Sequence, residues 1–124
     1  MLRIGTTVLG VNDVRRAAAF WSRALGYVPR DPDDDETWMV LIPPDGGTGA
    51  RLALALSETP VQSHPRVHLD LYADDQAAEV ERLVALGATR VDWDSYPEDP
   101  DFVVMADTEG NIFDVIDKSG GLMA

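Results

Sequence analysis

The chain has 124 residues, a length typical of one domain that folds without disulfides. It contains no cysteine, which excludes disulfides, thiolate metal sites and cysteine nucleophiles. With 22 acidic and 10 basic residues the net charge is −12, which disfavours nucleic acid and favours cationic small molecules or divalent metals. An ordinary solvated acidic surface explains the same charge equally well.

The beginning of the chain, residues 1–5, lacks the apolar segment of a secretory signal. No apolar run approaches the roughly 20 residues that span a bilayer. We therefore expect a cytoplasmic protein with no membrane partner.

The two halves of the chain repeat one order of predicted elements. A strand, a helix and three further strands occupy residues 1–57, and the same order occupies residues 67–124 after a linker at 58–66. Asn12 in the first half matches Asp74 in the second at an offset of 62 residues. The pattern predicts two β-α-β-β-β modules.

Both predicted helices carry capping signals. Asn12 and Asp74 are the predicted N-caps, because a short side-chain oxygen accepts hydrogen bonds from the free amides of the first turn. Gly26 and Gly87 are the predicted C-caps. Each helix has one apolar face, which should pack on a sheet. These faces include Trp21 in the first helix and Val80, Leu83 and Val84 in the second.

The predicted strand at residues 67–73 has two different faces, because strand side chains alternate. The face that suits packing under a helix holds Val67, Leu69 and Leu71. The opposite face holds His68, Asp70 and Tyr72. A sheet face that bears these side chains is either solvated or a functional site.

Asp114 is flanked by isoleucines in the last predicted strand, where a charge is costly without a partner. Ala53, in the predicted strand at residues 51–56, has a small side chain that leaves room for a cavity. The half-chain offset maps Thr6 onto His68 and Ala53 onto Asp114. The repeat therefore offers four equivalent inward positions, filled by Thr, Ala, His and Asp.

The element order and three segments carry a family resemblance. The segments VNDVRRAAAFWSRALGY, HLDLYADDQAAEVERLVALGA and DTEGNIFDVID resemble the vicinal oxygen chelate (VOC) superfamily, most closely its glyoxalase-like and bleomycin-resistance branch. The resemblance covers nearly the whole chain. It implies an α+β fold of tandem modules, with an open curled sheet around a cavity, helices on the outer face and a homodimeric assembly.

The resemblance also implies where a metal would bind. Metal enzymes of the superfamily place ligands on the four inward positions, of which His68 and Asp114 carry suitable side chains and Thr6 and Ala53 do not. Asp70 shares a strand face with His68 and is the candidate third ligand. We expect no cofactor and leave a divalent metal open, since a site normally needs three protein ligands or more. His68 as a metal-free general base is a further alternative, as is a histidine hydrogen-bonded to a carboxylate.

Aromatic residues are candidates for ligand contact. Trp38 and Phe102 occupy matching positions in the two halves, and Trp93 and Tyr96 adjoin an acidic loop where this architecture has a cavity rim. Ordinary packing is the alternative for each ring. His64 is interpreted as an exposed linker residue. The predicted ligand-binding residues are Thr6, Trp38, Ala53, Asp70, Tyr72, Trp93, Tyr96 and Phe102.

The first functional hypothesis is a protein that binds a small, largely aromatic and cationic compound in an acidic cavity. Its purpose would be sequestration in antibiotic resistance, or the handling of a secondary metabolite. The alternatives are a metal-dependent lyase, isomerase or dioxygenase of the same superfamily, and a metal-free enzyme that uses His68 as its base. The ligand set separates the first two, because the loss of two ligands weakens metal chemistry and leaves small-molecule binding intact.

Overall fold

The computed structural model describes residues 1–31 and 35–120. The chain divides into two compact units, Met1–Pro60 and Val61–Ala124. The first unit contains β1 (Thr6–Val11), α1 (Val14–Leu25), β2 (Val28–Pro29), β3 (Trp38–Ile42), a short 3-10 turn (Pro44–Gly46) and β4 (Arg51–Leu56). The second contains β5 (Leu69–Ala73), α2 (Gln76–Leu86), β6 (Thr89–Arg90), β7 (Phe102–Ala106) and β8 (Ile112–Asp117). Residues 32–34 and 121–124 lie outside the described part.

Each unit has one open, mixed sheet of four strands. The strand orders are β1-β4-β3-β2 and β5-β8-β7-β6. In both sheets the first strand of the unit pairs in parallel with the last, and the remaining pairs are antiparallel. The shared topology confirms the predicted α+β fold of tandem β-α-β-β-β modules.

Each helix packs against its own sheet. In the first unit α1 contacts β3 and β4, and in the second unit α2 contacts β6 and β8. Trp21, predicted to be core, is 1% exposed. Val80 and Leu83 are buried as predicted, but the prediction for Val84 is wrong, because its side chain is 44% exposed. At about 100° per residue the buried stripe runs through Val80 and Leu83 and leaves Val84 beyond its edge.

The helix N-caps lie one residue later than predicted. Asp13 and Asp75 are the caps, and their side chains accept hydrogen bonds from the backbone amides of Arg16 and Ala78 at 3.0 and 3.1 Å. The predictions of Asn12 and Asp74 are wrong, because the helices begin at Val14 and Gln76 and the residue directly before each first turn is an aspartate. The C-caps are confirmed: Gly26 adopts φ 70° in the left-handed region, and Gly87 adopts φ 120°.

The strand that carries the predicted site begins later than expected. β5 starts at Leu69, so His68 precedes its first ladder residue. Val67 is 79% exposed, and its predicted packing under a helix is therefore wrong. The interior positions Leu69 and Leu71 are half-buried.

A tight turn between β7 and β8 holds the register of the last strand. The Asp107 carboxylate accepts hydrogen bonds from the amides of Glu109 and Asn111 at 2.8 and 2.9 Å. Gly110 adopts φ 86°, a conformation that suits glycine. The turn therefore fixes which residues of β8 face those of β7.

Neither helix in residues 1–31 and 35–120 is long and apolar enough to cross a bilayer.

The cap assignment predicts a difference between neighbouring substitutions. Asp13→Ala and Asp75→Ala should each lower the free energy of unfolding by about 1 kcal/mol, because each leaves a first-turn amide without its acceptor. Asn12→Ala and Asp74→Ala are the matched controls and should change it by less than about 0.5 kcal/mol. Urea denaturation followed by circular dichroism measures all four. Equal losses at the control positions would contradict the assignment.

Candidate functional site

Two rows of side chains cross one face of the second sheet. Asp114 in β8 is the register partner of Asp70 in β5 and of Val104 in β7. Two residues further along β8, Ile116 is the partner of Tyr72 and Phe102. Strand alternation turns both rows away from the buried Phe113 and Val115. We call the surface that carries His68, Asp70, Tyr72, Phe102 and Asp114 the site face.

His68 contacts both carboxylates through one ring nitrogen. Its Nε2 lies 3.1 Å from Asp70 Oδ1 and 3.5 Å from Asp114 Oδ2. The side chains of His68 and Asp70 are 42% and 48% exposed, whereas that of Asp114 is only 14% exposed. A proton on Nε2 faces two acceptors, so the neutral ring is best arranged with Nδ1 as its basic atom. This geometry suits either a positioned base or a ring held by carboxylates.

The same three residues offer a compact donor set for a divalent metal. One ligand atom from each of His68, Asp70 and Asp114 can be chosen so that all lie within 4.8 Å of one another. One imidazole nitrogen and two carboxylate oxygens suit first-row divalent metals. The residues therefore fit a metal, with Asp70 as the third ligand that the sequence left open.

Asp114 is an energetically costly carboxylate. Its burial raises its pKa above the ordinary value of 3.8, and the neighbouring negative charge of Asp70 adds to the increase. The charge of His68 acts in the opposite direction but does not cancel the effect of burial. A positive charge nearby, on a protonated His68 or on a bound cation, therefore stabilises the ionised form of Asp114.

An aromatic group adjoins the carboxylates. The Tyr96 ring packs on Phe102 with a centroid separation of 5.3 Å and an interplanar angle of 36°. Tyr96 Oη accepts a hydrogen bond of 2.7 Å from the backbone amide of Val104. The Lys118 Nζ lies 4.9 Å from the centroid of the Tyr72 ring. Three of the predicted aromatic contacts, Tyr72, Tyr96 and Phe102, therefore belong to this part of the second sheet.

Trp93 belongs to a different cluster. Its ring packs on His64 with centroids 4.6 Å apart, and His64 Nε2 lies 3.2 Å from Asp94 Oδ1. Hydrogen bonds from His64 and Ser95 hold the pKa of Asp94 below 3.8. His64 is exposed, as expected, but its pairing with Trp93 was missed, because the contact joins residues far apart in the chain.

The matching positions of the first module carry no comparable group. Ala53 pairs with Val8 and Val40, so an apolar row replaces Asp70, Asp114 and Val104. Ala53 is fully buried, and Trp38, at the start of β3, is 40% exposed. Thr6 is exposed at the first position of β1. These three residues lie on matching faces of the first sheet, and their predicted contact with a ligand stays a prediction.

The chain matches one family model and is similar in fold to several solved structures. A family model described as a glyoxalase-like domain matches residues 6–116. A glyoxalase-related enzyme from Fulvimarina pelagi is 19% identical, with a TM-score of 0.69, covering 96% of this chain and 90% of that chain. A glyoxalase/bleomycin resistance protein/dioxygenase family enzyme from Burkholderia phytofirmans is 16% identical, with a TM-score of 0.70, covering 94% and 98%. A comparison with curated proteins gave no significant match.

A third similar structure has a bound ligand. The bleomycin-binding protein of Streptomyces verticillus, in complex with copper(II)-bleomycin, is 16% identical, with a TM-score of 0.58. The similarity covers 94% of this chain and 97% of that chain. At these identities the likeness concerns the fold alone.

The shared contacts of His68 predict non-additive substitutions. His68→Ala should lower the free energy of unfolding by roughly 1–3 kcal/mol, because it leaves the partly buried Asp114 carboxylate without the imidazole nitrogen that faces it. Adding Asp114→Ala should cost less than the sum of the two single changes. The same cycle with His64→Ala should be additive, since His64 pairs with Asp94. Additive losses for both histidines, measured by denaturant unfolding at neutral pH, would contradict the coupling.

Because the pKa of Asp114 is raised, replacing its carboxylate by a neutral amide should increase the stability of the fold, and the increase should depend on pH. Since folding disfavours its ionised form, Asp114 lowers stability as the pH rises above 3.8, and this loss is absent below 3.8. Asp114→Asn should therefore unfold at a higher temperature than wild type at neutral pH, and the difference should shrink as the pH approaches 3.8. Thermal unfolding across this pH range measures it. A variant that is less stable at neutral pH would show that the carboxylate is held favourably.

Proposed function

Because the chain belongs to the glyoxalase-like domain family, we propose that it binds a small, aromatic and cationic compound on the site face of its second sheet. The observation that carries the proposal is the adjacency of two rows on that face. Asp70 and Asp114 are register partners, and Tyr72 and Phe102 flank Ile116 two residues along the same strands. The carboxylates suit a cation, and the rings suit a flat apolar body.

The electrostatics of the site favour a positive ligand. Asp70 and Asp114 repel each other, and partial burial makes the charge of Asp114 costly. A ligand ammonium placed between them offsets both effects. The net charge of −12 also raises the local concentration of cations and their rate of encounter.

The aromatic row supplies the second half of the recognition. A planar ligand can stack on a ring of the Tyr96 and Phe102 pair, and stacking of this kind contributes about 0.5–1.5 kcal/mol beyond the area buried. The hydrogen bond from Val104 to Tyr96 Oη fixes the position of one ring. A ligand therefore meets an aromatic group that needs little ordering on binding.

The biological role that we propose is sequestration in antibiotic resistance or the handling of a secondary metabolite. The fold shared with the Streptomyces verticillus bleomycin-binding protein supports this choice. We further propose a homodimer in the cytoplasm. The modules at 1–57 and 67–124, with their linker at 58–66, would form one glyoxalase-like domain with its cavity.

A second candidate function is a metal-dependent enzyme, which the donor set of His68, Asp70 and Asp114 favours. A divalent metal held there would supply a Lewis acid that polarises a substrate oxygen. Elemental analysis of the native protein separates the two candidates. The binding proposal expects well under one equivalent of zinc, iron, nickel or manganese. If EDTA removed one equivalent of bound metal and an activity was lost with it, the metal-dependent enzyme would replace the binding proposal.

The binding proposal predicts a charge-selective fragment. Benzylamine, which is an ammonium at neutral pH, should bind more tightly than the uncharged benzyl alcohol of similar size. Asp70→Asn should weaken benzylamine binding about tenfold, which corresponds to the loss of one charge-assisted contact of about 1.4 kcal/mol. Chemical-shift titration of the backbone amides gives both dissociation constants and the site of binding.

Glu81→Gln is the matched control for this experiment, because Glu81 is an exposed carboxylate on α2. It removes one unit of charge from the second module and should leave benzylamine binding unchanged. If Glu81→Gln weakened benzylamine binding equally, the affinity would depend on the net charge of the protein and not on the carboxylates of the site face. Equal affinity for benzylamine and benzyl alcohol would contradict a cationic ligand.

A further inference from the structure

His64 joins the linker to the loop that carries Tyr96. Its ring packs on Trp93 with centroids 4.6 Å apart and an interplanar angle of 34°, and its Nε2 lies 3.2 Å from Asp94 Oδ1. The Ser95 hydroxyl donates a 2.9 Å hydrogen bond to the same carboxylate oxygen. We call the contact of His64 with Trp93 and Asp94 the clasp.

The segment that leads to His64 is also held at its beginning. Val61 covers the turn between β7 and β8, because a Cβ on Gly110 would lie 3.6 Å from both methyl carbons of Val61. Residues 61–66 form no helix or strand, so side-chain contacts of this kind position them. The segment therefore has one anchor at the β7–β8 turn and a second anchor, the clasp, at the loop after β6.

The loop after β6 depends on side-chain anchors in the same way. The ladder between β6 and β7 continues as far as the 3.0 Å hydrogen bond from the Val91 amide to the Val104 carbonyl. The Val104 amide then donates to Tyr96 Oη. Tyr96 is two residues from Asp94, which is at most about 7 Å of extended chain. The clasp therefore restrains the backbone directly beside the ring that packs on Phe102.

We infer that His64 is a positioning residue for ligand binding on the site face, because its clasp keeps Tyr96 in place on Phe102 and makes the affinity for an aromatic ligand depend on pH. The inference rests on the proposed function of that face. A ring that is already held against Phe102 needs little ordering when a ligand stacks on it. A loosened loop must be ordered during binding, and this ordering lowers the affinity.

The pH dependence follows from the charges of the clasp. A histidine side chain changes its charge between about pH 5 and 8. The charged group that faces His64 in the described part of the chain is Asp94, and hydrogen bonds from His64 and Ser95 hold the pKa of Asp94 below 3.8. Asp94 is therefore ionised in the range where His64 gains its proton, and a charge-assisted contact forms. The clasp is tightest at mildly acidic pH and weakens as the pH rises above neutrality.

The first measurement needs no ligand. Hydrogen exchange of the Val104 amide reports opening of the loop, because this amide must leave Tyr96 Oη before it meets water. His64→Phe keeps a ring on Trp93 and removes the contact with Asp94. At about pH 5.5 it should speed the exchange of Val104 about twofold to fivefold, the range for an exposed ion pair. Asp94→Asn should have a similar effect, and the two changes together should add little to either one.

Asp92→Asn is the matched control, because Asp92 is an exposed carboxylate of the same loop. It removes the same unit of charge as Asp94→Asn and should leave the exchange of Val104 unchanged. The Ala88 amide, which donates a 3.0 Å hydrogen bond to the Leu83 carbonyl, is the reference outside the loop. Its exchange should be the same in every variant, which confirms that the second module is folded.

The second measurement connects the clasp to ligand binding. The affinity for benzylamine is compared between wild type and Asp94→Asn at about pH 5.5 and about pH 8. The variant should bind benzylamine about twofold to fivefold more weakly than wild type at the lower pH, and the difference should shrink at the higher pH. Protonation on the site face is common to both proteins, so it cancels when their affinities are compared at one pH. Asp92→Asn should match wild type at both pH values.

Each outcome has a distinct meaning. Faster exchange of Val104 together with a loss of affinity that is larger at the lower pH supports the inference. Unchanged exchange in His64→Phe and Asp94→Asn, an equal change in Asp92→Asn, or full benzylamine affinity in Asp94→Asn at both pH values overturns the role of His64 and leaves the binding of aromatic cations standing. Failure of benzylamine to bind wild type at millimolar concentration overturns the proposed function and the inference with it.

Discussion

The parallel pairing of β5 with β8 determines the chemistry of the second module. Its register puts Asp70 beside Asp114, so two like charges occupy neighbouring positions of one sheet. A slip by one residue would turn Asp114 toward the side of Phe113 and Val115, where a charge is far more costly. The buried apolar side chains and the turn at Asp107 therefore hold together a pair of carboxylates that would otherwise separate.

The carboxylate pair also links binding to protonation. Burial and the charge of Asp70 raise the pKa of Asp114, so a proton and a bound cation relieve the same unfavourable charge. A cationic ligand consequently competes with protons for this carboxylate. The imidazole of His68 also faces both carboxylates. Because its side chain is partly exposed, the ring can move aside for a ligand or contact the ligand.

Local patterns in the sequence predicted much of this arrangement. Alternation in the strand placed His68, Asp70 and Tyr72 on one face, and the half-chain repeat indicated that Asp114 shares it. Alternation gives only parity, however, and cannot say that Asp70 and Asp114 are direct partners, because register depends on both strands and their turns. The caps were displaced by one residue because Asn12 and Asp13, like Asp74 and Asp75, are chemically equivalent choices.

Contacts between distant segments could not be predicted from local patterns in the sequence. The packing of Trp93 on His64 joins a loop to the linker, and no periodicity connects the two. Lys118 lies just beyond the last strand residue, where alternation is not normally extended. Reading the same parity one step past Asp117 would have placed its side chain beside the aromatic row.

The apolar row of the first module limits which side chains that module can accept. The positions that match Asp70, Asp114 and Val104 are filled by Val8, Ala53 and Val40. Ala53 is fully buried, so a carboxylate at this position would cost several kcal/mol for burying a charge. Two modules with the same topology can therefore differ in which functional groups they tolerate, because a position that is packed shut must first gain space before it can hold a charge.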